Sequence, residues 1–229
     1  MTQPELVIFD CDGVLVDSEI IASRVEAELL TAAGFEISAE ELSETYAGLT
    51  FKDIMLRIEE KSKIPFQASL IDQAEVLVDR RLASDVRAIE GAHEAAAAVT
   101  AKRCICSNSR TERLDAMLTR TRLKPLFEGH IFSSLETPTG KPKPAPDVFL
   151  HAAEAMEANP AKTFVIEASV HGIAGARAAG MRVIGFTGAS HTYPGHADVL
   201  TDAGAETVIR RWSDLKGTLA ALAVWSEDA

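Results

Sequence analysis

Short apolar runs alternate with longer amphipathic segments along most of the chain. The runs have four or five residues each and lie at Glu5–Phe9, Arg103–Cys106, His130–Ser133, Thr163–Ile166, Arg182–Phe186 and Glu206–Ile209. Near-continuous apolar runs of this length are typical of parallel strands covered on both faces. Between them, helical spacing marks Ala92–Ala101, Arg110–Thr119, Pro146–Met156 and Gly172–Ala179. This alternation predicts an α/β fold with a doubly wound parallel sheet.

Residues 17–84 depart from this alternation, because no apolar strand run occurs there. Helical spacing is found instead at Ser18–Ala33, Phe51–Lys61 and Phe66–Leu82. Ser38, followed by Glu41, fits a capping box at a further helix start. We therefore expect an all-helical domain at 17–84, inserted into a core made of 1–16 and 85–229. The alternative is a long helical excursion that packs on the same core as the sheet.

Charge limits the partners of the chain. Acidic residues number 34 and basic residues 23 in 229, which gives a formal net charge of −11. Nucleic-acid binders need a basic surface, so we expect no nucleic acid partner. No apolar run approaches the roughly 20 residues of a membrane span, and Met1–Glu5 lacks the features of a signal peptide. We expect a cytoplasmic protein without a membrane partner, present as a monomer or weak homodimer.

Cysteine and histidine offer no obvious metal cluster. The three cysteines are Cys11, Cys104 and Cys106. An odd count, with two of them inside apolar runs, indicates small buried side chains, and a Cys104–Cys106 metal pair is the alternative. Six histidines are scattered, and we interpret His191 and His196 as loop residues that flank a turn.

Two carboxylates directly follow the first predicted strand. Asp10 and Asp12 lie at i and i+2, and Gly13 after them permits a sharp turn. Ligands of open α/β sheets bind at the carboxyl ends of the strands. One carboxylate can act there as a nucleophile while the other transfers protons. The alternative is a charged turn, since Asp is common in turns.

Four segments, in order, resemble the motifs of the haloacid dehalogenase superfamily, in its aspartate-nucleophile phosphatase branch. The first is Asp10-x-Asp12-Gly-Val-Leu-Val-Asp17-Ser18, and the second is Arg103-Cys-Ile-Cys-Ser107-Asn108-Ser109. Lys143-Pro-Ala-Pro-Asp147 resembles the third, and Phe164-Val-Ile-Glu167-Ala168-Ser169 with the following Gly172 resembles the fourth. The resemblance covers essentially the whole chain. It implies a Rossmann-like core with a helical cap inserted between the first two motifs.

The resemblance also implies roles for individual residues. Asp10 would form an aspartyl-phosphate, and Asp12 would protonate the leaving oxygen and then activate water. Ser107 and the backbone N–H of Asn108 would bind the phosphoryl oxygens, although Ser107 could also be a helix N-cap before Arg110–Thr119. Lys143, favoured over the nearby Lys141, would neutralise the charge on Asp10 and phosphate. The alternative for both lysines is a solvated loop.

The fourth motif departs from the family pattern in its metal ligands. Magnesium is the implied cofactor, and the second acid of this motif is its usual direct ligand, but the chain has Ala168 there. A methyl group cannot coordinate a hard cation. The resemblance implies Asp10 and the carbonyl oxygen of Asp12 as the remaining protein ligands. Glu167, which is one bond longer than Asp, would complete the metal site; the alternative is that the substrate phosphate and water complete it. We expect weaker Mg²⁺ binding and lower activity than is normal for the family.

The helical insertion carries the residues expected to select the substrate. Tyr46-Ala-Gly48-Leu-Thr50-Phe51-Lys52-Asp53 resembles the specificity loop of the family's cap. Sugar-phosphate mutases of the family have Arg where this chain has Phe51, and a His on the first cap helix that Ile20–Arg24 lacks. Both differences argue against a mutase. Lys52 is a candidate substrate contact or a solvated helix start, with Arg24 and Arg57 as weaker candidates.

Three segments are similar to the bacterial 6-phosphogluconate phosphatase group within this family: Asp17–Arg24, Ile89–Ala92 and His151–Met156. This likeness implies a phosphorylated sugar or sugar acid as substrate. The leading hypothesis is thus a Mg²⁺-dependent phosphatase of a small phosphorylated metabolite. The alternatives are a phosphosugar mutase of the β-phosphoglucomutase type and, because of Ala168, a catalytically weak protein that binds phosphate esters. A dehalogenase is less favoured, because Ser107, Lys143 and Asp12 are phosphatase features.

Overall fold

The computed structural model describes residues 4–46, 49–127 and 129–225. All six predicted strands are present, as β1 Leu6–Phe9, β2 Lys102–Ser107, β3 Ile131–Ser133, β4 Thr163–Glu167, β5 Arg182–Phe186 and β6 Thr207–Ile209. They form one sheet in the order β3-β2-β1-β4-β5-β6, and every neighbouring pair is parallel. The predicted doubly wound parallel sheet is confirmed.

The first strand lies in the middle of the sheet, between β2 and β4. Phe9 is in register with Ile105 on one side and with Ile166 on the other. The strand is fully buried, with Val7 and Phe9 in the apolar cluster on one face of the sheet and Leu6 and Ile8 in the cluster on the other. The chain order changes direction at β1, so a crevice opens at its carboxyl end.

The described residues form ten α-helices, which surround the sheet or lie in the insertion: α1 Glu19–Ala32, α2 Ala39–Thr45, α3 Phe51–Ser62, α4 Ser69–Asp85, α5 Ala92–Ala98, α6 Thr111–Arg120, α7 Asp147–Ala155, α8 Val170–Ala178, α9 His196–Asp202 and α10 Leu215–Trp225. The structure confirms the helices predicted from spacing, within a few residues at each end. Helices α9 and α10 were not predicted, because His196–Asp202 is short and Leu215–Trp225 is apolar around most of its circumference.

The insertion after β1 is helical, as expected. Its interior is an apolar cluster that includes Leu30, Leu42, Ile54 and Ile58. The predicted N-cap of α2 is also present, since the Ser38 hydroxyl accepts a hydrogen bond from the Glu41 amide at 3.1 Å. However, α1 and α4 also contribute Val25, Val78 and Leu82 to the cluster on the sheet. The insertion thus combines its own core with packing on the sheet, and the boundaries of the two predicted domains stay a prediction.

The three cysteines are free and buried, as the sequence predicted. Cys11 lies in the cluster on one face of the sheet, and Cys104 and Cys106 lie in the cluster on the other. Within the described residues, no helix is long and apolar enough to cross a membrane.

Candidate active site

Asp10 leaves β1 at the carboxyl edge of the sheet. Its amide continues the ladder by donating to the Ile166 carbonyl at 3.0 Å, and the residue is only 8% exposed. Gly13 follows with a φ of 67°, in the left-handed region that glycine adopts without strain. The turn therefore places the first carboxylate in the crevice between β2 and β4, as expected from the sequence.

Lys143 is brought to this carboxylate from the loop before α7. Its Nζ donates to Asp10 Oδ1 at 2.9 Å, to Glu167 Oε1 at 2.6 Å and to the Cys106 carbonyl at 2.8 Å. An ammonium has three hydrogens, so each has an acceptor. Lys143 is 7% exposed whereas Lys141 is exposed, so the structure places at the site the lysine that the sequence favoured.

The charges in this cluster shift one another's protonation. Burial raises the pKa of Asp10 well above its ordinary value, and the neighbouring Glu167 charge adds to this, while Lys143 opposes it. For Lys143, burial lowers the pKa, but the carboxylates of Asp10 and Glu167 outweigh burial and raise it. Lys143 is therefore a permanent cation, and Asp10 depends on nearby positive charge to stay ionised.

Three hydroxyl groups hold Asp12. Ser18 Oγ donates to Oδ1 at 2.8 Å, and Ser107 and Ser109 donate to Oδ2 at 3.0 and 2.9 Å. The two predicted carboxylates therefore occupy different settings, since Asp10 is bonded to a charged amine and Asp12 to neutral hydroxyls. This separation suits a nucleophile beside a group that transfers protons.

Ser107 and Asn108 lie at the end of β2, but their contacts differ from those expected. Ser107 does not cap α6, whose N-cap is Arg110; its hydroxyl donates to Asp12 and accepts from the Ser109 amide at 2.9 Å. The capping interpretation is thus wrong, because helix α6 begins farther along the chain. The Asn108 side chain accepts from the Lys143 amide at 2.8 Å and thereby holds the lysine loop. The expected phosphoryl contacts of Ser107 and Asn108 stay predictions.

Glu167 ends β4 and has no exposed surface. Its Oε1 accepts from Lys143, and its Oε2 accepts from the Ala168 amide at 3.2 Å, the Ser169 amide at 3.3 Å and the Ser169 hydroxyl at 3.1 Å. Both oxygens are therefore engaged. Ser169 also caps α8 by accepting from the Gly172 amide at 3.0 Å.

This arrangement of four loops at one sheet edge coincides with a match to a known family. Residues 4–180 match the profile of haloacid dehalogenase-like hydrolases. The chain belongs to that family. The family resemblance inferred from the four motifs is confirmed.

Three relatives show how close the match to haloacid dehalogenase-like hydrolases is. The chain is 31% identical to a 6-phosphogluconate phosphatase of Escherichia coli (strain K12) over 197 residues, which cover 85% of this chain and 87% of that protein. A conserved haloacid dehalogenase-like protein of unknown function from Agrobacterium tumefaciens str. C58 has 58% identity and a TM-score of 0.93, over 96% of this chain and 99% of that chain. A haloacid dehalogenase family hydrolase from Deinococcus radiodurans R1, solved with bound phosphate and sodium, has 30% identity and a TM-score of 0.84, over 96% and 97% of the two chains.

The donor atoms fit a divalent cation only in part. Asp10 and Glu167 share the ammonium of Lys143, while Asp12 beside them is bonded to hydroxyl groups, and this excess of carboxylate oxygen suits a hard cation. Ala168 supplies no ligand, and the Glu167 oxygens already accept from four donors, with which a cation would compete. In the described part of the chain, no group of three or more His, Cys, Asp or Glu side chains is arranged to hold a metal. The metal site predicted on Asp10, the carbonyl of Asp12 and Glu167 stays a prediction, in which the Glu167 oxygens are already hydrogen-bonded.

The predicted specificity loop of this haloacid dehalogenase-like hydrolase is described in part. Ala47 and Gly48 lie outside the described residues. Thr50 caps α3 by accepting from the Asp53 amide at 3.2 Å, and Lys52 is exposed in the first turn of that helix. Among the described residues, no hydrogen bond or ion pair joins Lys52 to Asp10, Lys143 or Glu167. Its role as a substrate contact therefore stays a prediction.

Sequence reasoning missed several contacts at the edge. Ser109 lies two residues beyond the end of β2, so Ser107 and Ser109 repeat the two-residue spacing of Asp10 and Asp12, which was a usable signal for a second hydroxyl at Asp12. Gly13 lies against the His191 ring, and burial, with His196 next to it, lowers the pKa of His191 to about 4, so this ring is neutral at pH 7. His196 begins α9 and donates from Nε2 to the Ala168 carbonyl at 3.1 Å. His191 thus lies in the loop between β5 and α9, as predicted, whereas the loop interpretation is wrong for His196, which is the first residue of α9.

Proposed function

We propose that this protein is a phosphatase that hydrolyses a small phosphorylated sugar or sugar acid through an aspartyl-phosphate on Asp10. The observation that carries the proposal is the buried Asp10–Lys143–Glu167 chain with Asp12 beside it. The likeness to a 6-phosphogluconate phosphatase supports the substrate class. Mg²⁺ is the proposed cofactor.

In the first step, a carboxylate oxygen of Asp10 attacks phosphorus, and the bond between phosphorus and the sugar oxygen breaks. Lys143 holds the nucleophile in place through Oδ1 and offsets the negative charge that gathers around it. Asp12 gives a proton to the departing alcohol oxygen, so Asp12 must enter the step protonated. Ser107 and Ser109 fix the orientation of the Asp12 carboxyl group for this transfer.

In the second step, water attacks the phosphorus of the aspartyl-phosphate, and Asp12 takes a proton from that water. Inorganic phosphate leaves and the Asp10 carboxylate is restored, so atoms and charges balance. Asp10 and the Asp12 carbonyl would hold Mg²⁺, which when bound supplies positive charge to the phosphoryl oxygens. The cap helices would exclude bulk water from the crevice while the ester is bound.

The test is phosphate release from a panel of sugar phosphates and sugar-acid phosphates with added Mg²⁺. We expect hydrolysis of some members, lost in excess chelator and reduced about a thousandfold or more in Asp10→Asn. The loop supplies a matched pair of lysine variants: Lys143→Met should lose activity, whereas Lys141→Met should keep it, because Lys141 is exposed. No release across the panel by the folded wild-type protein would refute the phosphatase.

Ala168 favours one second candidate, a protein that binds phosphate esters with little turnover. This function predicts saturable binding of a sugar phosphate by calorimetry without product. It differs from the phosphatase in that Asp10→Asn would leave the already negligible rate unchanged.

A further inference from the structure

Gly172, in the first turn of α8, has a helical conformation that does not require glycine. No positive φ is recorded for it, unlike for Gly13, Gly34 and several other glycines. Glu167 explains why the residue at this position is glycine, because a Cβ built on Gly172 would overlap the Glu167 carboxyl group. The missing side chain therefore makes the space in which that carboxyl group lies.

Glu167 cannot move freely out of this space. It is fully buried, and its two oxygens accept from four donors of Lys143, Ala168 and Ser169. Moving the carboxyl group would separate it from these donors, and a buried charge without partners is costly. Its strongest connection is the 2.6 Å contact with Lys143, whose Nζ lies 2.9 Å from Asp10 Oδ1.

We infer that Gly172 is a positioning residue, which lets Glu167 hold Lys143 against the Asp10 carboxylate. The connection runs through three contacts in sequence: Gly172 to Glu167, Glu167 to Lys143, and Lys143 to Asp10. This inference deepens the proposed function and rests on it for its effect on catalysis. The contact between positions 167 and 172 itself can be tested without any activity.

If Gly172 acted only as part of helix α8, Gly172→Ala would leave catalysis unchanged and make the helix more stable. Alanine is a better helix former than glycine, and the Gly172 amide that donates to Ser169 is retained in alanine. The overlapping atoms are the end of a flexible side chain and not backbone, so the fold can accommodate the methyl group by displacing the carboxyl group. A positioning role therefore predicts a folded protein with impaired catalysis.

The experiment is a double-mutant cycle of Gly172→Ala and Glu167→Asp, with kcat and KM measured on a sugar phosphate. We expect Gly172→Ala to lower kcat about tenfold or more with a smaller change in KM. Aspartate is one methylene shorter and withdraws from the added methyl group. The double variant should therefore be at least about threefold faster than Gly172→Ala. Gly217→Ala in α10, where a Cβ meets no atom within 4 Å, is the control and should match the wild type.

The four proteins of the cycle (wild type, Gly172→Ala, Glu167→Asp and the double variant) are also unfolded in urea. A positioning contact predicts that the effects of the two substitutions on the unfolding midpoint are not additive and that the pair is better tolerated together. Kinetics of Gly172→Ala within twofold of the wild type, or a double variant no faster than Gly172→Ala, would overturn the inference. If the wild type has no phosphatase activity, the proposed function fails, and additive unfolding midpoints would then reject the 167–172 contact separately.

Discussion

Single residues at the carboxyl edge of the sheet, where Asp10 lies, are hydrogen-bonded to several partners at once. Ala168 shows how this limits a substitution, because its amide donates to Glu167 at 3.2 Å and its carbonyl accepts from His196 at 3.1 Å. The backbone at position 168 is thus fixed from both sides, and the residue, which is 7% exposed, belongs to the apolar cluster on one face of the sheet. A longer side chain there would start from a fixed backbone next to the Glu167 carboxylate.

Ala168→Asp should make the protein respond more strongly to Mg²⁺. Without the cation, another buried carboxylate near Glu167 adds repulsion and desolvation, and we expect stability to fall by about 1–3 kcal/mol. Added Mg²⁺ should recover the loss, because carboxylate oxygen is its preferred ligand. Thermal unfolding across a Mg²⁺ titration measures this, and the Mg²⁺ concentration for half-maximal hydrolysis should fall about tenfold.

Ala168→Asn is the matched control, since it has almost the same shape as Asp without the charge. Its melting temperature should depend on Mg²⁺ as weakly as that of the wild type. Equal responses in the two variants would show that the added carboxylate does not reach the cation.

At this scale, the sequence predicted which residues meet but not how they are bonded. Asp10 and Asp12 could be identified because they directly follow a predicted strand, and Lys143 because its segment resembles the third motif of the family. The engagement of both Glu167 oxygens could not, since it depends on the side-chain conformation and on the space left by Gly172. The same holds for Ser107, whose partner depends on where α6 begins.

At the scale of elements, α4 of the insertion packs along α6 of the core, and a charged cluster joins them. Asp79 accepts from Arg110 and Arg113 at 2.6 Å each, and the Arg120 guanidinium donates to the Ser84 carbonyl at 2.9 Å. Asp79 is 38% exposed, so solvent weakens these ion pairs. They orient the two helices, while Val78 and Leu82 supply the apolar contact.

Asp79→Asn should therefore destabilise the protein modestly. We expect a loss of about 0.5–1 kcal/mol in urea unfolding at low salt, because two arginines lose one shared partner. The loss should shrink at high salt, where exposed charges are screened. Glu28→Gln is the control, since its contact with Arg81 is long, at 3.9 Å, and exposed. A larger loss in Glu28→Gln than in Asp79→Asn would contradict the assignment of this helix contact.

The elements themselves were largely predictable, for reasons visible in particular segments. Strands such as Thr163–Glu167 are buried on both faces, so an uninterrupted apolar run reveals them. Helix Thr111–Arg120 has a clear apolar side and was found by its spacing. Leu215–Trp225 was missed, because alanine and leucine on most sides leave no contrast between faces.

At the scale of the whole molecule, two adjacent crossings connect the helical insertion to the core. Val16 pairs with Ala88, the Asp17 amide donates to the Arg87 carbonyl at 2.9 Å, and the Ile89 amide donates to the Leu15 carbonyl at 3.0 Å. Asp17 is also bonded to the backbone and hydroxyl of Ser190 in the loop after β5. The crossings are thus paired with each other and tied to the edge that carries Asp10.

The net charge of −11 acts on any phosphate ester that approaches this edge. Lys143 is buried and bonded to two carboxylates, so its field is largely neutralised at long range. We therefore expect the acidic surface to dominate the encounter with an anionic substrate and to slow it. Raising the ionic strength from 10 to 150 mM shortens the screening length from about 30 Å to about 8 Å and weakens this repulsion.

The expected result is a rise in kcat/KM of about two- to threefold over that range, with kcat nearly constant, at fixed Mg²⁺. Constancy of kcat follows because the bonds from Lys143 to Asp10 and Glu167 are buried and little affected by salt. A sugar-acid phosphate carries one more negative charge than a sugar phosphate and should respond more steeply, which makes the pair an internal control. A fall in kcat/KM with salt would mean that cations near the crevice, and not the acidic surface, govern the approach of substrate.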